Sequence, residues 1–394
     1  MHLVAVTFAC PHAPQDGYTL RVKRMLEALV GVAGGALERV VLVTPAEPAE
    51  LEPARAWARA TGIELDPYPA TGLSPWHREA RTALRAAVAR RLETLRPVRE
   101  RTVVFGLGIP GLFELAHLAP EWHVVGDVMD EVSPRLQEDL RRAAASFSPR
   151  GVVRALHTRR EYLRELRGLA RCAAVLACAP DDAQRLRALE ANRTVEAVWN
   201  GVDVPAARAD VAAPVRRAIF HGVLDYPPNE QAALTICRTA APALRAAAPD
   251  LRLLLVGRRP TPAVLAAAAE QANVDVLQDV PSVTAHLLDA GIGLYPLRIR
   301  TGIQNKILEA WAAGLPVITT TEIAQSLVSI TAFAREALVV ADEPGLVDAL
   351  QRLLASAADR VRLGNAGRAV VEADFSWPSS ARRLLHVLQA AAGR

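Results

Sequence analysis

Short β-branched and aliphatic runs alternate with longer amphipathic stretches along all 394 residues, and this alternation limits the fold more than any other feature. In the first half the strand candidates are Leu3–Phe8, Val40–Val43, Thr102–Phe105, His123–Val125, Ala173–Ala177 and Val195–Val198. In the second half they are Ala218–Phe220, Leu251–Val256, Val274–Leu277, Ile292–Tyr295, Val317–Thr319 and Leu338–Val340. Most are continuously apolar, as strands covered on both faces are. Stretches such as Leu20–Val30, Ser74–Leu95 and Asn229–Ala247 carry the helical period between them. Such alternation predicts an α/β chain of parallel sheets with helices on both faces.

The run Asn200-Gly-Val-Asp-Val-Pro205 ends a strand with turn residues and leads into a polar, Ala/Pro-containing stretch to about Pro214. It marks a linker. The expected organisation is therefore an N-terminal domain at 1–204, a C-terminal domain at 205–374 and a closing helix at 375–394. Phe375-Ser-Trp-Pro378 supplies the start signal of that helix, whose plainest role is to pack on its own domain. Two facing sheets of this kind leave a cleft lined by the carboxyl ends of their strands, where such folds bind ligands.

Composition removes several classes. With 51% hydrophobic and 22% charged residues, the chain is not a disordered one. No apolar run reaches the ~18–20 residues of a membrane span. The net charge of +4 comes from arginines scattered among acidic residues, with 5% aromatics, so no nucleic-acid partner is expected. Attraction to an anionic membrane surface or an anionic substrate stays open. Cys10, Cys172, Cys178 and Cys237 form no C-x-x-C and have no histidine at ligand spacing, so no metal site is expected. Cys172 and Cys178 read as small apolar core residues. The N-terminal Met-His-Leu-Val-Ala-Val-Thr-Phe reads as a strand rather than a leader. A cytoplasmic location is expected, with peripheral contact at the inner face of a membrane left open. Of 46 basic residues only Lys23 and Lys306 are lysines, an arginine bias that fits a GC-rich genome.

The segment from Ile292 to Val317 is the richest in chemistry. A strand ends at Tyr295-Pro296, and a loop follows with Arg298, Arg300, Thr301 and Gly302. A helix then starts near Ile303 and ends at Gly314. Gly302 lets backbone amides approach a ligand, and a helix N-terminus offers free N–H groups to phosphate. Lys306 lies in the first turn, and Glu309 is three residues on, on the same face. A carboxylate there can accept two hydrogen bonds from a vicinal diol such as ribose. Together these predict a nucleotide site. The plainer reading is an ordinary helix with Lys306 and Glu309 as a surface ion pair.

The run Thr301-Gly-Ile-Gln-Asn-Lys-Ile-Leu-Glu-Ala-Trp-Ala-Ala-Gly-Leu-Pro-Val317 resembles the donor motif of GT-B glycosyltransferases of the family 4 type. It is most similar to the sugar transferases of bacterial exopolysaccharide clusters. Phe220-His-Gly-Val-Leu-Asp-Tyr-Pro-Pro-Asn229, Leu253-Leu-Leu-Val-Gly257, Asn200-Gly-Val-Asp203, Pro11-His-Ala-Pro-Gln-Asp-Gly-Tyr-Thr-Leu-Arg21 and Phe375-Ser-Trp377 resemble other family segments in order. The likeness is strongest from 218 to 320. It implies a GT-B fold, two facing Rossmann-like domains, with the last helix crossing back to the N-terminal domain. It also implies a UDP- or GDP-sugar held by the C-terminal domain and an acceptor on the N-terminal one. The acceptor class, saccharide, lipid-linked or small molecule, stays open.

On the matching positions, Glu309 would hold ribose hydroxyls, and Lys306 with the amides of Gly302, Ile303 and Asn305 the diphosphate. Gly17 would let the N-terminal loop close over that diphosphate, with Arg21 assisting; Arg258, just after Gly257, would approach the nucleotide, and Gly222 is a further donor-binding position. Gly126-Asp-Val-Met-Asp-Glu-Val-Ser133 resembles a segment in which Asp127 or Asp130 orients an acceptor hydroxyl or donor sugar; a helix-capping role is the plainer reading. His12 reads as a solvated loop residue, and Arg159-Arg160-Glu161 as a charged helix face. Two departures stand out. Thr301 occupies the place of a first Glu, eight before Glu309, that many members carry. His221-Gly222-Val223 stands where many have Gly-Arg or Gly-Lys, so Lys306, Arg298 or Arg300 would supply the phosphate charge.

The resemblance implies sugar transfer with retention in polysaccharide, glycoconjugate or metabolite glycosylation. The leaving diphosphate would be stabilised by cations and amides, without cofactor or essential metal; the lack of D-x-D fits this. Two alternatives stay open: a nucleotide-sugar epimerase on the same fold, and a catalytically silent binding subunit.

Overall fold

The strand runs assemble into two all-parallel sheets. The computed structural model describes residues 1–14, 16–70, 72, 74, 77–129, 136–137, 140–141, 144, 149–189, 191–192, 194–206, 214–298 and 304–393. The chain divides into two units, Met1–Gly201 with Trp377–Arg394, and Val202–Ser376.

The first unit holds β1 (His2–Val6), β2 (Arg39–Ala46), β3 (Glu64–Pro69), β4 (Thr102–Leu107), β5 (His123–Asp127), β6 (Ala174–Ala177) and β7 (Val195–Ala197). Their order is β3-β2-β1-β4-β5-β6-β7, with Val4 in register with Val41 and Val104. Successive residues point to opposite faces. Val4 and Val6 join Val41, Val43 and Val104 in one buried layer; Leu3 and Ala5 join Leu42, Val103 and Phe105 in the other. The second layer is closed by the helix Gly17–Ala33, through Val22, Met25, Leu26 and Leu29. The C-terminal helix Trp377–Ala392 packs there too, through Trp377, Ala381, Leu384 and Leu388. That spacing of four, three and four is the buried stripe of an amphipathic helix.

Residues 64–69, not expected to be a strand, form β3. Glu64-Leu-Asp-Pro-Tyr-Pro69 carries two prolines and two acids, which argue against a central strand. An edge position tolerates them, since one side of the strand has no ladder to complete. The stretch expected to be helical over 229–247 is helical throughout but not uniformly α. Helix Pro227–Thr235 widens into a five-residue π turn, Ile236–Ala240, before Ala241–Ala247. Pro242 lacks the N–H that would reach the carbonyl four residues back, and the wider turn absorbs the loss.

The second unit contains β8 (Arg217–His221), β9 (Arg252–Gly257), β10 (Val274–Gln278), β11 (Ile292–Tyr295), β12 (Val317–Thr319) and β13 (Leu338–Val340). Their order, β10-β9-β8-β11-β12-β13, repeats the winding of the first unit. The chain winds outward one way from β8 to β10 and then restarts at β11 on the other side of β8. At this reversal the helices on either side diverge and open a crevice at the strands' carboxyl ends. The residues at those ends are His221 and Tyr295. All four cysteines are free thiols, three of them buried. Among the described residues no helix is long and apolar enough to cross a membrane.

Candidate functional site

The helix after β11 runs over Asn305–Ala312, starting two residues later than the expected Ile303. Ile307, Leu308, Ala310, Trp311 and Ala312 are fully buried. With five of its eight side chains buried, the helix keeps a narrow polar face, and that face carries Lys306 and Glu309. Gly314, at φ 75°, closes the helix. Its N–H donates to the Trp311 carbonyl, and the Leu315 N–H to that of Ala310, the paired bonds of a sharp helix stop that needs a left-handed residue.

Lys306 is turned back toward β8. Its Nζ donates to Asn229 Oδ1 and lies 5.7 Å from the centroid of the Phe220 ring. Asn229 is itself buried, and its Nδ2 donates to the Val223 carbonyl at 2.8 Å, which fixes the amide with its oxygen toward the lysine. Burial pushes the Lys306 ammonium down to about 8, and the Glu309 carboxylate partly restores it. An ammonium has three donors; one goes to Asn229, and among the described residues the charge has no direct acidic partner. Gly222 makes the packing feasible. It sits at φ 153°, and a Cβ there would lie 2.9 Å from Asn229 Nδ2 and 3.6 Å from Lys306 Nζ. The end of β9 presses on it closely: a Cβ on Gly257 would fall 1.8 Å from the Gly222 carbonyl oxygen.

Glu309 faces the same strand ends. Its Oε2 lies 2.8 Å from His221 Nε2, and His221 Nδ1 lies 2.9 Å from the Tyr295 hydroxyl. The burial is graded: the Tyr295 residue is fully buried, the His221 side chain is 5% exposed and that of Glu309 42% exposed. Glu309 Oε1 has no hydrogen-bond partner among the described residues. Lys306 and Glu309 therefore have separate partners rather than forming a surface pair with each other. Sequence reasoning passed over His221, Asn229 and Tyr295 as site residues. The available signal was positional: His221 and Tyr295 are polar endings to apolar strands that the winding makes neighbours.

The remaining expected residues are spread more widely. Arg258 is exposed just after β9, where its carbonyl accepts the Leu224 N–H at 2.9 Å. Arg298 is exposed and ion-paired to Glu343. Asn305 opens the site helix, half-buried. Thr301, Gly302, Ile303, Arg300 and Asp130 lie outside the described residues. Gly17 is the first residue of its helix, capped by Asp16, whose side chain accepts from the Thr19 N–H. Arg21, expected to assist with the diphosphate, is instead wholly engaged inside the first unit, because burial obliges a guanidinium to be paired. Its Nε and Nη2 donate to Asp127 Oδ2 at 3.0 and 2.8 Å, its Nη1 to Asn200 and its Nη2 also to the Val198 carbonyl. Asp127 is buried with it, and its other oxygen accepts the Met129 N–H at 3.0 Å. His12 Nδ1 lies 3.3 Å from Cys10 Sγ, and the His12 carbonyl accepts from Lys23.

Residues 215–356, which contain all of the Lys306 and Glu309 surroundings, match the family described as Glycosyl transferases group 1. A curated relative is the GDP-mannose-dependent monoacylated alpha-(1-6)-phosphatidylinositol monomannoside mannosyltransferase of Corynebacterium glutamicum, 34% identical over 167 residues. That match covers 38% of this chain and 42% of the relative, so the chain spans less than half of that protein's length. Two solved structures are similar over nearly the whole chain. Anabaena Alr3699/HepE, in complex with UDP and glucose, has a TM-score of 0.63 at 13% identity, covering 99% of both chains. Sucrose-phosphate synthase of Thermosynechococcus elongatus has a TM-score of 0.68 at 17% identity, covering 98% of both. At these identities the likeness is one of fold. The chain has the GT-B fold, and its residues 215–356 match the glycosyl transferases group 1 family.

Proposed function

We propose that the chain is a nucleotide-sugar-dependent glycosyltransferase that moves a hexose-type sugar from a UDP- or GDP-sugar to an acceptor hydroxyl, with retention at the anomeric carbon. The observation that carries this reading is the convergence of Lys306 and Glu309 at the carboxyl ends of β8 and β11. A lysine with spare donors suits a diphosphate, and a carboxylate with a free oxygen suits a ribose diol. As the glycosidic bond breaks, negative charge grows on the departing diphosphate, and a fixed cation there lowers the barrier. Lys306 takes that role, and Glu309 holds the nucleoside so that the phosphate meets the lysine. The matched relative's use of GDP-mannose and the UDP and glucose bound by Alr3699/HepE support a donor of this class.

The test is incubation with UDP-glucose, UDP-N-acetylglucosamine and GDP-mannose, with and without pooled saccharide and lipid-linked acceptors, read by mass spectrometry. The expected result is nucleoside diphosphate release that requires acceptor, with an acceptor product heavier by one sugar residue. Donor isomerised without acceptor, or donor bound and never turned over, would overturn the proposal.

A further inference from the structure

We infer that His221 is a positioning residue for donor recognition: Tyr295 fixes its tautomer, and its Nε2–H pins Glu309 so that Oε1 is left to meet the ribose. The inference rests on the reading of Glu309 as the ribose acceptor.

The hydrogen-bond chain runs in one direction. The Tyr295 hydroxyl is fully buried, and the His221 Nδ1 at 2.9 Å is its only hydrogen-bond partner among the described residues. Burial, with the Glu309 carboxylate nearby, pushes this phenol well above its usual range, so it stays an O–H. If Nδ1 carried a proton, the phenol proton would be left without an acceptor in the interior, an arrangement folded proteins avoid. Tyr295 therefore donates to Nδ1. A neutral imidazole accepting at one nitrogen carries its proton on the other, here Nε2, which faces Glu309 Oε2 at 2.8 Å. Glu309 sits between the buried Leu308 and Ala310, and its own side chain is 42% exposed. Without a partner such a carboxylate samples several rotamers. The imidazole selects one and uses one oxygen.

Room for the relay is built into the sheet. Gly293, two residues before Tyr295 on the same face of β11, lies where a Cβ would approach the tyrosine ring to 2.8 Å. The ring packs at a tilt on Phe220 and edge-on to His221, with centroids 5.9 and 5.6 Å apart. A side chain at position 293 would displace the hydroxyl from Nδ1. None of these three groups is called for by diphosphate binding, which Lys306 and Asn229 serve separately. The function that joins them is the orientation of one carboxylate.

The experiment compares calorimetric affinities of the full chain for UDP and GDP with those for their 2′-deoxy forms. The wild type should prefer the ribonucleotide about tenfold or more, the weight of a hydrogen bond to a charged group. Glu309→Gln should abolish most of that preference, and His221→Leu should reduce it to about threefold or less while affinity for the 2′-deoxy form changes little. His221→Gln, which can place an amide N–H where Nε2 stands, should restore it. Tyr295→Phe, nearly isosteric, should lower the preference at least about twofold even if the leucine variant fails to fold. Nitrogen NMR of the wild type should show the unprotonated ring nitrogen of His221 to be Nδ1. If Glu309→Gln keeps the full preference, the ribose reading itself fails. If Glu309→Gln loses it while His221→Leu and Tyr295→Phe keep it, the relay alone is overturned. A protonated Nδ1 in the wild type would also overturn it.

Discussion

Lys306 is one of two lysines against a background of arginine, and its surroundings give that choice a physical meaning. A guanidinium is hard to deprotonate and needs several partners; an ammonium is compact and responds to burial. Here burial lowers the lysine to about 8, and an arriving diphosphate favours the protonated form. The sign follows: binding is strongest while the free site is protonated and falls as pH rises through about 8. Titrations between about pH 7.5 and pH 9.5, where phosphate itself no longer titrates, should show affinity dropping as much as tenfold per pH unit. Lys306→Met should bind weakly and without that slope. A wild-type affinity flat across the window would contradict the assignment. Lys23, the other lysine, donates to the His12 carbonyl and holds a loop. Arg21 shows the opposite choice. Buried against Asp127 and Asn200, it fills a place where a forked, permanently charged group is needed.

At the scale of elements, strand ends and helix starts differ in how plainly the sequence displays them. Apolar runs such as Leu253–Val256 are legible because both faces of a parallel sheet are covered. β3 is not, because an edge strand need not be apolar and can hold Pro67 and Pro69. The π turn at Ile236–Ala240 was likewise hidden, since periodicity reports amphipathicity and not hydrogen-bond spacing. Lys306 and Glu309 were legible from their place after a strand, loop and glycine. His221, Asn229 and Tyr295 were not, because their roles depend on side chains from β8 and β11 being brought together across residue separations of 74 and more. The C-terminal helix illustrates the converse. Its spacing alone predicts a buried face but names no partner for it; in the fold that face packs with Val22, Met25 and Leu26 in the first unit. Leu384 is almost fully buried in that layer. Leu384→Ala should cost about 2–5 kcal/mol in urea unfolding of the full chain, and an unchanged midpoint would mean that the helix contributes no packing.

For the molecule as a whole, two sheets of the same winding have diverged in what their central strands present. In the second unit the reversal beside β8 gathers a lysine, a carboxylate, a histidine and a phenol. In the first, the end of β5 is occupied by the Arg21–Asp127 pair, joined to Val198 and Asn200, so part of the polar chemistry there holds the unit together. The match over 215–356 falls on the unit with the converging site, as expected if donor recognition is the shared property and the rest of the chain adapts to the acceptor. On the proposed reading, the strand ends of the second unit hold a nucleoside diphosphate through Lys306. Calorimetry of UDP and GDP with the wild type and Lys306→Ala is the decisive measurement. At least one nucleotide should bind the wild type, and the substitution should weaken it by on the order of 10- to 150-fold. Equal affinity in the two proteins would contradict it.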